Sequence, residues 1–291
     1  MLHGSLVALV TPFKKNLSLD EAAIERLVEF HRKNGTHGII SCGTTGESAT
    51  LSHDEHKRVV ELTVKLCGGK LPVVAGTGSN STDEAVDLTR FAEKTGADAA
   101  LVVVPYYNKP SQQGLFIHFG KVASSVGIPI ILYNVPGRSA ANLLPETVAR
   151  LRAKYKNIAG IKEASSIEQA SKVMYLCGKD FPLFSGDDAI NFPLLALGSR
   201  GSISVTANVA PKDVANMHNL YAKGETARAA KLHYKLLPLN EALFVESNPV
   251  PVKTALSLMK MDTGVLRHPL CALSPANRKL LAAALSDYGI V

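Results

Sequence analysis

The run Leu101-Val102-Val103-Val104 stops at Pro105, and a second run, Ile130-Ile131-Leu132, begins 29 residues after the first. Both runs are apolar at consecutive positions, which is typical of strands that are buried on both faces in a parallel sheet. The predicted strands begin near Ser5, Gly38, Pro72, Ala99, Pro129, Ile158, Phe181 and Gly201. Their mean spacing is 28 residues, which indicates eight repeated strand–helix units.

The stretches between these runs carry signals of helix starts and ends. Ser52-His53-Asp54-Glu55 and Ser81-Thr82-Asp83-Glu84 both fit the capping box, in which a hydroxyl and a carboxylate satisfy free backbone N–H groups. Gly35, Gly68 and Gly96 follow helical stretches, where a left-handed residue commonly ends a helix. We therefore expect a helix after each strand.

Eight such units that close on themselves form a (β/α)8 TIM barrel, which needs about 250 residues. An open doubly wound sheet is the alternative. It is disfavoured because no G-x-G-x-x-G motif follows the first strand, and the nearest match, Gly76–Ser81, lacks the third glycine. The fold class predicted here is α/β, a TIM barrel with a further C-terminal helical layer.

That layer is predicted because the strand signal stops near Gly224. Ala227–Leu237, Val252–Met261 and Pro275–Asp287 read as helices that are separated by prolines. We expect residues 1–223 to form the barrel with the active site. Residues 224–291 are expected to form a helical extension packed on it.

The composition and charge pattern of the chain restrict the classes of function that we expect. Of the 291 residues 46% are hydrophobic and 20% charged, and the net charge is +7, so a sizeable core is expected. No basic block exceeds two residues and aromatics do not interleave with the basic residues, so nucleic-acid binding is not expected. No apolar run approaches the 18 or more residues of a membrane-spanning helix.

The four cysteines lie far apart and form no C-x-x-C pair. This spacing favours neither a disulfide scaffold nor a zinc cluster, and reduced thiols in the cytoplasm fit it best. The pair His53-x-x-His56 lacks the His-Glu-x-x-His order of metalloproteases and has no third ligand nearby in sequence. We therefore expect no metal site.

In a TIM barrel the active residues lie at the carboxyl ends of the strands. Strand alternation in the sixth strand puts Ile158, Gly160 and Lys162 on one face. If that face points inward, Lys162 enters the barrel mouth, where burial disfavours a charged amine. A neutral amine can attack a ketone and form a Schiff base. The alternative is a lysine on the rim that pairs with Glu163.

The fifth strand ends with a second candidate, Tyr133, which shares a face with Ile131. A phenol beside a Schiff-base lysine can transfer protons. Its alternative is a core aromatic with a satisfied hydroxyl. Arg138 follows in a Pro-Gly turn, where it can bind a carboxylate bidentately or simply be exposed.

Loops after three other strands add weaker signals. Gly43-Thr44-Thr45-Gly46-Glu47-Ser48 offers backbone N–H groups and hydroxyls to a small carboxylate. Ser185-Gly186-Asp187-Asp188 ends the seventh strand. Tyr106 and Tyr107 follow the fourth strand and face opposite ways if extended. One tyrosine could serve its own barrel and the other a neighbour, or both could shield helix ends.

Three of these segments together resemble the signatures of the dihydrodipicolinate synthase/N-acetylneuraminate lyase family. They are Gly43-Thr44-Thr45-Gly46-Glu47, Tyr133-Asn134-Val135-Pro136-Gly137-Arg138 and Gly160-Ile161-Lys162-Glu163. The likeness runs from Gly4–Pro12 to Asn248–Lys253. It implies a TIM barrel with a C-terminal helical layer, in agreement with the expectation from the residues.

The resemblance also implies a reaction. Pyruvate forms an imine with Lys162, becomes an enamine and attacks aspartate-4-semialdehyde. Cyclisation then yields 4-hydroxy-tetrahydrodipicolinate, the first committed compound of the lysine branch. No metal or organic cofactor is implied. Another pyruvate aldolase of the family, a sialate or keto-deoxy-sugar acid lyase, is the alternative, and a non-catalytic keto-acid sensor is a third possibility.

The family pattern implies a role for each matching residue. Tyr133 exchanges protons, and Thr44 and Tyr107 complete a relay to which Tyr107 comes from a neighbouring subunit. Thr45, Gly186 and the backbone at Ile203 hold pyruvate. Arg138 binds the semialdehyde carboxylate, which favours the synthase over the sialate lyases.

Two further properties are implied by the resemblance. Family members are usually homotetramers built from two tight dimers. Feedback-inhibited members bind L-lysine between paired subunits, and the corresponding positions here are Ser48, Ala49, His53, His56, Asn80, Glu84 and Tyr106. We expect L-lysine to be an effector of this protein; the alternative is that the pocket exists without measurable inhibition.

Overall fold

The computed structural model describes residues 2–291. Eight parallel strands are hydrogen-bonded neighbours in chain order around a closed barrel. They are β1 (Gly4–Ala8), β2 (Gly38–Ser41), β3 (Val73–Gly76), β4 (Ala99–Val103), β5 (Ile130–Asn134), β6 (Ile158–Glu163), β7 (Leu183–Ser185) and β8 (Gly201–Ser204). Each strand begins within two residues of its predicted start. The TIM-barrel prediction is confirmed, and the open sheet is excluded.

Helices occupy most of the chain between and after the strands. They are α1 (Glu21–Lys33), α2 (His53–Cys67), α3 (Thr82–Thr95), α4 (Gln112–Ser125), α5 (Pro136–Ser139), α6 (Pro145–Lys154), α7 (Ile167–Cys177), α8 (Asn191–Ala196), α9 (Pro211–Ala222), α10 (Thr226–Ala242), α11 (Val250–Leu258) and α12 (Pro275–Tyr288). Short 3-10 segments cover Ser48–Thr50, Asp188–Ile190 and Thr206–Asn208. Across residues 2–291, none of the helices combines the length and the apolarity needed to cross a membrane.

The two predicted capping boxes form to different extents. The capping box at the start of α2 is complete, since the side chains of Ser52 and Glu55 each accept the other residue's backbone N–H. At the start of α3, however, the carboxylate of Glu84 accepts the hydroxyl of Ser79 at 2.5 Å. The backbone N–H of Ser81 also donates to Ser79, at 3.0 Å. Only half of the predicted second capping box therefore forms. The Ser81 hydroxyl accepts the Glu84 backbone N–H at 3.4 Å, but Ser79 replaces Glu84 as the acceptor of the Ser81 backbone N–H.

The C-terminal helices differ from prediction at Pro238. A break was expected there, but α10 continues through this proline. A proline inside a helix removes one backbone hydrogen bond. The apolar face of α10 compensates, since Leu236, Leu239 and Leu243 on either side of the proline are all buried. Burial of a leucine contributes about 1.5–3 kcal/mol, comparable with the cost of the proline.

The chain divides into two compact units, one formed by Met1–Pro72 with Ser204–Val291 and the other by Val73–Ile203. In the first unit β1 pairs with β2, α9 packs on β1, and α10 contacts both α9 and α12. In the second unit β3 to β7 pair in sequence and β7 pairs with β8. The division into a barrel over 1–223 and an extension over 224–291 stays a prediction.

Candidate active site

Lys162 and Tyr133 are neighbours on adjacent strands. The β5–β6 register places Tyr133 opposite Lys162 and Ile131 opposite Gly160, so the predicted shared face is confirmed. The Lys162 Nζ atom lies 4.2 Å from the centre of the Tyr133 ring. Each residue is only 6% exposed. The pair thus places an amine against a phenol in a largely dry environment.

Gly186 lies against Lys162, and Gly160 lies against Pro182, the residue before β7. A Cβ atom at Gly186 would lie 3.0 Å from Lys162 Cε and 2.7 Å from Ala164 Cβ. A Cβ atom at Gly160 would lie 2.7 Å from the carbonyl oxygen of Pro182. Contacts below 3.0 Å force atoms to move, so neither position accepts a side chain without displacement of its neighbours. Gly186 therefore shapes the space at the lysine, although its predicted contact with substrate stays a prediction.

Glu163 is not the partner of Lys162 that the alternative interpretation required. It is 1% exposed and accepts hydrogen bonds from the Asn134 and Gln169 amides and the Ser165 backbone. Burial raises the pKa of Glu163, although these hydrogen bonds oppose the increase. The Glu163 carboxyl group is therefore part of a hydrogen-bond network with the side-chain amides of Asn134 and Gln169.

Arg138 lies on α5, a single helical turn that replaces the predicted Pro-Gly turn. It is exposed. The segment after β5 that carries it is anchored by Asn134, whose Oδ1 accepts the Leu143 backbone N–H at 2.9 Å. The Asn134 amide also donates to Asn142 Oδ1 at 2.8 Å. An exposed guanidinium on an anchored segment suits recognition of a carboxylate from solution.

The loop after β2 is built inside the first unit. Thr45 is buried, whereas Thr44 is half-buried. The Thr11 hydroxyl donates to the carbonyl oxygen of Gly46 at 2.7 Å, and a Cβ atom at Gly46 would contact three atoms within 3.3 Å. The Asn248 amide donates to Thr45 Oγ1 at 3.0 Å. The loop is therefore held both by its own unit's β1 segment and by the chain before α11.

Sequence analysis missed the buried ion pair under this loop. Lys253 Nζ lies 2.6 Å from Glu47 Oε1, and both side chains are fully buried. Burial lowers the pKa of Lys253, and the charge of Glu47 opposes that decrease. A signal was present, because Lys253 is the only charged residue between Glu246 and Lys260. A lysine that stays charged when it is buried requires an anionic partner.

The tyrosine pair and two predicted effector residues lie in the second unit. Tyr107 is 88% exposed and has a left-handed φ of 74°, while Tyr106 is 38% exposed. The Asn108 amide donates to the carbonyl oxygen of Asn80 at 2.9 Å and so connects the loops after β3 and β4. Glu84, at the start of α3, accepts the Ser79 hydroxyl.

The other effector candidates lie on one segment of the first unit. Ser48 and Ala49 begin a 3-10 turn, and His53 and His56 follow in the first turn of α2. His53 is exposed and His56 is buried.

Within residues 2–291 no three His, Cys, Asp or Glu side chains are grouped as metal ligands. Ile203 is buried on β8.

Comparison with known proteins gives a consistent result. The family model described as "Dihydrodipicolinate synthetase family" matches residues 1–288. A 4-hydroxy-tetrahydrodipicolinate synthase of Thermodesulfovibrio yellowstonii is 55% identical over 292 aligned positions, which cover 100% of both chains.

Two solved structures add ligands to the comparison. The dihydrodipicolinate synthase of Acinetobacter baumannii complexed with pyruvate is 43% identical, with a TM-score of 0.97 and 100% of both chains covered. The enzyme of Cyanidioschyzon merolae with lysine bound is 39% identical, with a TM-score of 0.96 and 99% of both chains covered.

Proposed function

The chain belongs to the dihydrodipicolinate synthetase family, and we propose that Lys162 carries the reaction as the amine that forms an imine with pyruvate. The activity is that of a lyase, 4-hydroxy-tetrahydrodipicolinate synthase, which condenses pyruvate with aspartate-4-semialdehyde. The contact of Lys162 with Tyr133 is the single observation that carries this assignment.

The chemistry follows from an amine in a dry site. Lys162 Nζ attacks the ketone carbon of pyruvate, and loss of water from the carbinolamine leaves an imine. The imine withdraws electrons, so the pyruvate methyl group loses a proton and becomes an enamine. The enamine carbon then forms a bond to the aldehyde carbon of the second substrate. That substrate's amine finally attacks the imine carbon, which closes the ring and releases Lys162.

Tyr133 is the proton donor and acceptor in this scheme. Carbinolamine formation and water loss each need a proton delivered to or taken from oxygen. Its ring lies against the Lys162 amine, which supports the role. Thr44 and a Tyr107 from a neighbouring subunit would connect this proton to solvent, and the exposure of Tyr107 supports an intersubunit role. The assembly proposed is a homotetramer, a dimer of dimers.

Two carboxylates need separate recognition. Thr45 and the backbone at Ile203, with Gly186 leaving space, would bind the pyruvate carboxylate. Arg138 would bind the carboxylate of aspartate-4-semialdehyde, and its position on α5 supports this role. No metal or organic cofactor takes part, because the imine itself supplies the electron sink.

A trapping experiment tests the assignment. The protein is incubated with pyruvate and reduced with borohydride, and its peptides are examined by mass spectrometry. Pyruvate should be attached to the peptide of Lys162 alone. Lys253 is a second buried lysine and serves as an internal control, because its ion pair with Glu47 keeps it out of reach of substrate. An unmodified Lys162 would refute the proposal.

Variants separate the roles. Lys162→Ala should abolish both trapping and turnover, and Tyr133→Phe should lower kcat while it leaves the protein folded. Arg138→Ala should raise KM for aspartate-4-semialdehyde and leave KM for pyruvate unchanged. Sialate offered in place of the products distinguishes the sialate lyases, and cleavage of sialate would reassign the second substrate.

L-Lysine is the proposed effector. Support comes from the lysine-bound relative and from suitable groups on His53, His56, Asn80, Glu84 and Tyr106. Glu84 would pair with an ammonium group of the ligand, and Ser48 and Ala49 are proposed as further residues of the same site. Titration with L-lysine should lower the rate, and Glu84→Gln should weaken that inhibition. A flat rate to millimolar L-lysine contradicts the proposal.

The cytosol is the proposed compartment. All four cysteines are free thiols, and Cys42, Cys67 and Cys177 are buried. Free thiols suit a reducing environment. Secretion of the protein from cells with an oxidised pair would contradict this.

A further inference from the structure

Asn248 holds the hydroxyl group of Thr45 in a defined orientation. Its Nδ2 donates to Thr45 Oγ1 at 3.0 Å, and both residues are buried. The two positions are 203 residues apart in the sequence. A hydroxyl group has one hydrogen to donate, and it accepts through lone pairs. Because a lone pair of Thr45 faces Asn248, its hydrogen points in another direction.

The hydrogen of Thr45 has no protein acceptor in the described part of the chain, where the Asn248 contact is the only hydrogen bond of Oγ1. A buried hydroxyl that does not donate leaves a hydrogen-bonding capacity unused. An anionic oxygen is the acceptor that gains most from such a donor. The site is therefore complete when a carboxylate arrives.

The orientation is fixed by a second attachment two residues further along the loop. Lys253 lies five residues after Asn248 and pairs with Glu47 at 2.6 Å. The backbone N–H of Arg267 donates to the other oxygen of Glu47 at 3.1 Å. Glu47 has a left-handed φ of 52°, which is unfavourable for a residue with a side chain. These contacts hold it in that conformation and keep Thr45 in register with Asn248.

We propose that Asn248 is a positioning residue for pyruvate, because it turns the Thr45 hydroxyl into a dedicated donor to the pyruvate carboxylate. The inference rests on the proposed function and deepens it at one contact. Asn248 does not touch the substrate in this scheme and acts only through Thr45.

Asn248→Asp gives the sharpest test. The introduced carboxylate accepts the Thr45 hydrogen, so the hydroxyl no longer donates to pyruvate. KM for pyruvate should rise roughly tenfold to hundredfold, the range of one charged hydrogen bond. KM for aspartate-4-semialdehyde should stay within about twofold. Asn248→Ala removes the donor to the Thr45 hydroxyl but adds no acceptor for its hydrogen. It should therefore raise KM for pyruvate less than Asn248→Asp does.

The pH dependence of KM for pyruvate is a measurement that a purely structural role of Asn248 would not affect. When the introduced carboxyl group is protonated, it can donate to Thr45 again, as the amide does. The ratio of KM for pyruvate between Asn248→Asp and the wild type should therefore fall as the pH is lowered. A ratio that does not change with pH would overturn the inference.

Two comparisons complete the design. Thr45→Val removes the hydroxyl, so Asn248→Asp should add little to KM in that background. Asn157→Ala removes two amide donations, to the carbonyl oxygens of Ala123 and Val126, at the amino end of β6. It should lower the thermal midpoint and leave both KM values unchanged. If Asn248→Asp behaves like Asn157→Ala, Asn248 is structural only.

The two levels of the argument fail differently. If borohydride traps no pyruvate on Lys162 of the wild type, the proposed function is wrong. If Lys162 is trapped but Asn248→Asp binds pyruvate as well as or better than the wild type, only the inference is overturned. Tighter binding would mean that Thr45 already donates to residue 248.

Discussion

Glu47 and Glu163 are both buried glutamates next to a functional strand end, yet the protein stabilises them in different ways. Glu47 follows β2 and meets the ammonium group of Lys253 at 2.6 Å. Glu163 ends β6 and receives only neutral donors, the closest being the Ser165 backbone at 2.9 Å. One site thus holds a paired charge, and the other holds a carboxyl group solvated by amides.

The two glutamates also differ in how far apart the contacting residues lie in the sequence. Glu47 and Lys253 are 206 residues apart, so their pair fastens the C-terminal helices to the β2 loop. Glu163 and Asn134 are 29 residues apart on adjacent strands. An ion pair is strong in a dry interior but costly to desolvate, whereas neutral amides satisfy a carboxyl group at lower cost. The first region should therefore tolerate the loss of one partner less well.

The largest effect is expected for Lys253→Met, which leaves Glu47 buried without its cation. Removal of one partner of a buried pair costs about 3–5 kcal/mol. Urea unfolding should show a loss of that size. The double variant Glu47→Gln/Lys253→Met should recover part of the loss, since no charge is then left unpaired. A loss below about 1 kcal/mol would break the comparison.

A smaller effect is expected for Glu163→Gln. The neutral amide keeps one acceptor oxygen, but its NH2 group faces the donors of Asn134 or Gln169. The cost should be about 2 kcal/mol, because one or two hydrogen bonds are lost. Unfolding in urea under the same conditions measures it. A cost equal to that of Lys253→Met would mean that the amides bind as strongly as the cation.

The amide network should also affect one substrate more than the other. Asn142 Oδ1 accepts a hydrogen bond from the Asn134 side-chain amide, and Asn142 Nδ2 donates to Gln169 Oε1 at 2.8 Å. These two bonds anchor the segment after β5 that carries Arg138. Asn142→Ala should raise KM for aspartate-4-semialdehyde roughly fivefold, the effect of one neutral hydrogen bond. KM for pyruvate should not change. Gln113→Ala, which removes only an exposed contact with Arg150, is the control.

The smallest effect is a pH dependence at Glu163. Its pKa is raised above the ordinary 4.5 by burial. As the pH rises above that value, the unfolded chain ionises first, so the folded state loses stability until its own carboxyl group ionises. The free energy of unfolding of the wild type minus that of Glu163→Gln should fall with pH, by at most about 1.4 kcal/mol per pH unit. A difference that rises with pH would contradict the raised pKa.

Much of the fold was predictable from the sequence because its signals are local. Short apolar runs indicated most of the eight strands, although Ile203 is the one large apolar residue within β8 (Gly201–Ser204). The shared face of Lys162 with Gly160 follows from the alternation of a strand. The hydrogen bonds at the start of α3 were harder to predict, because Ser79, which precedes the helix, donates its hydroxyl to the Glu84 carboxylate. The continuation of α10 through Pro238 was missed because burial of its apolar face outweighs the local penalty.

The sequence by itself determined the barrel, the positions of Lys162 and Tyr133 that we propose as catalytic, and the family pattern that contains them. Only the tertiary structure decided which buried groups meet, namely Asn248 with Thr45 and Lys253 with Glu47. Periodicity reports on neighbours within a few residues. Contacts across more than 200 residues depend instead on how the whole chain packs, and burial then forces each polar group to find a partner.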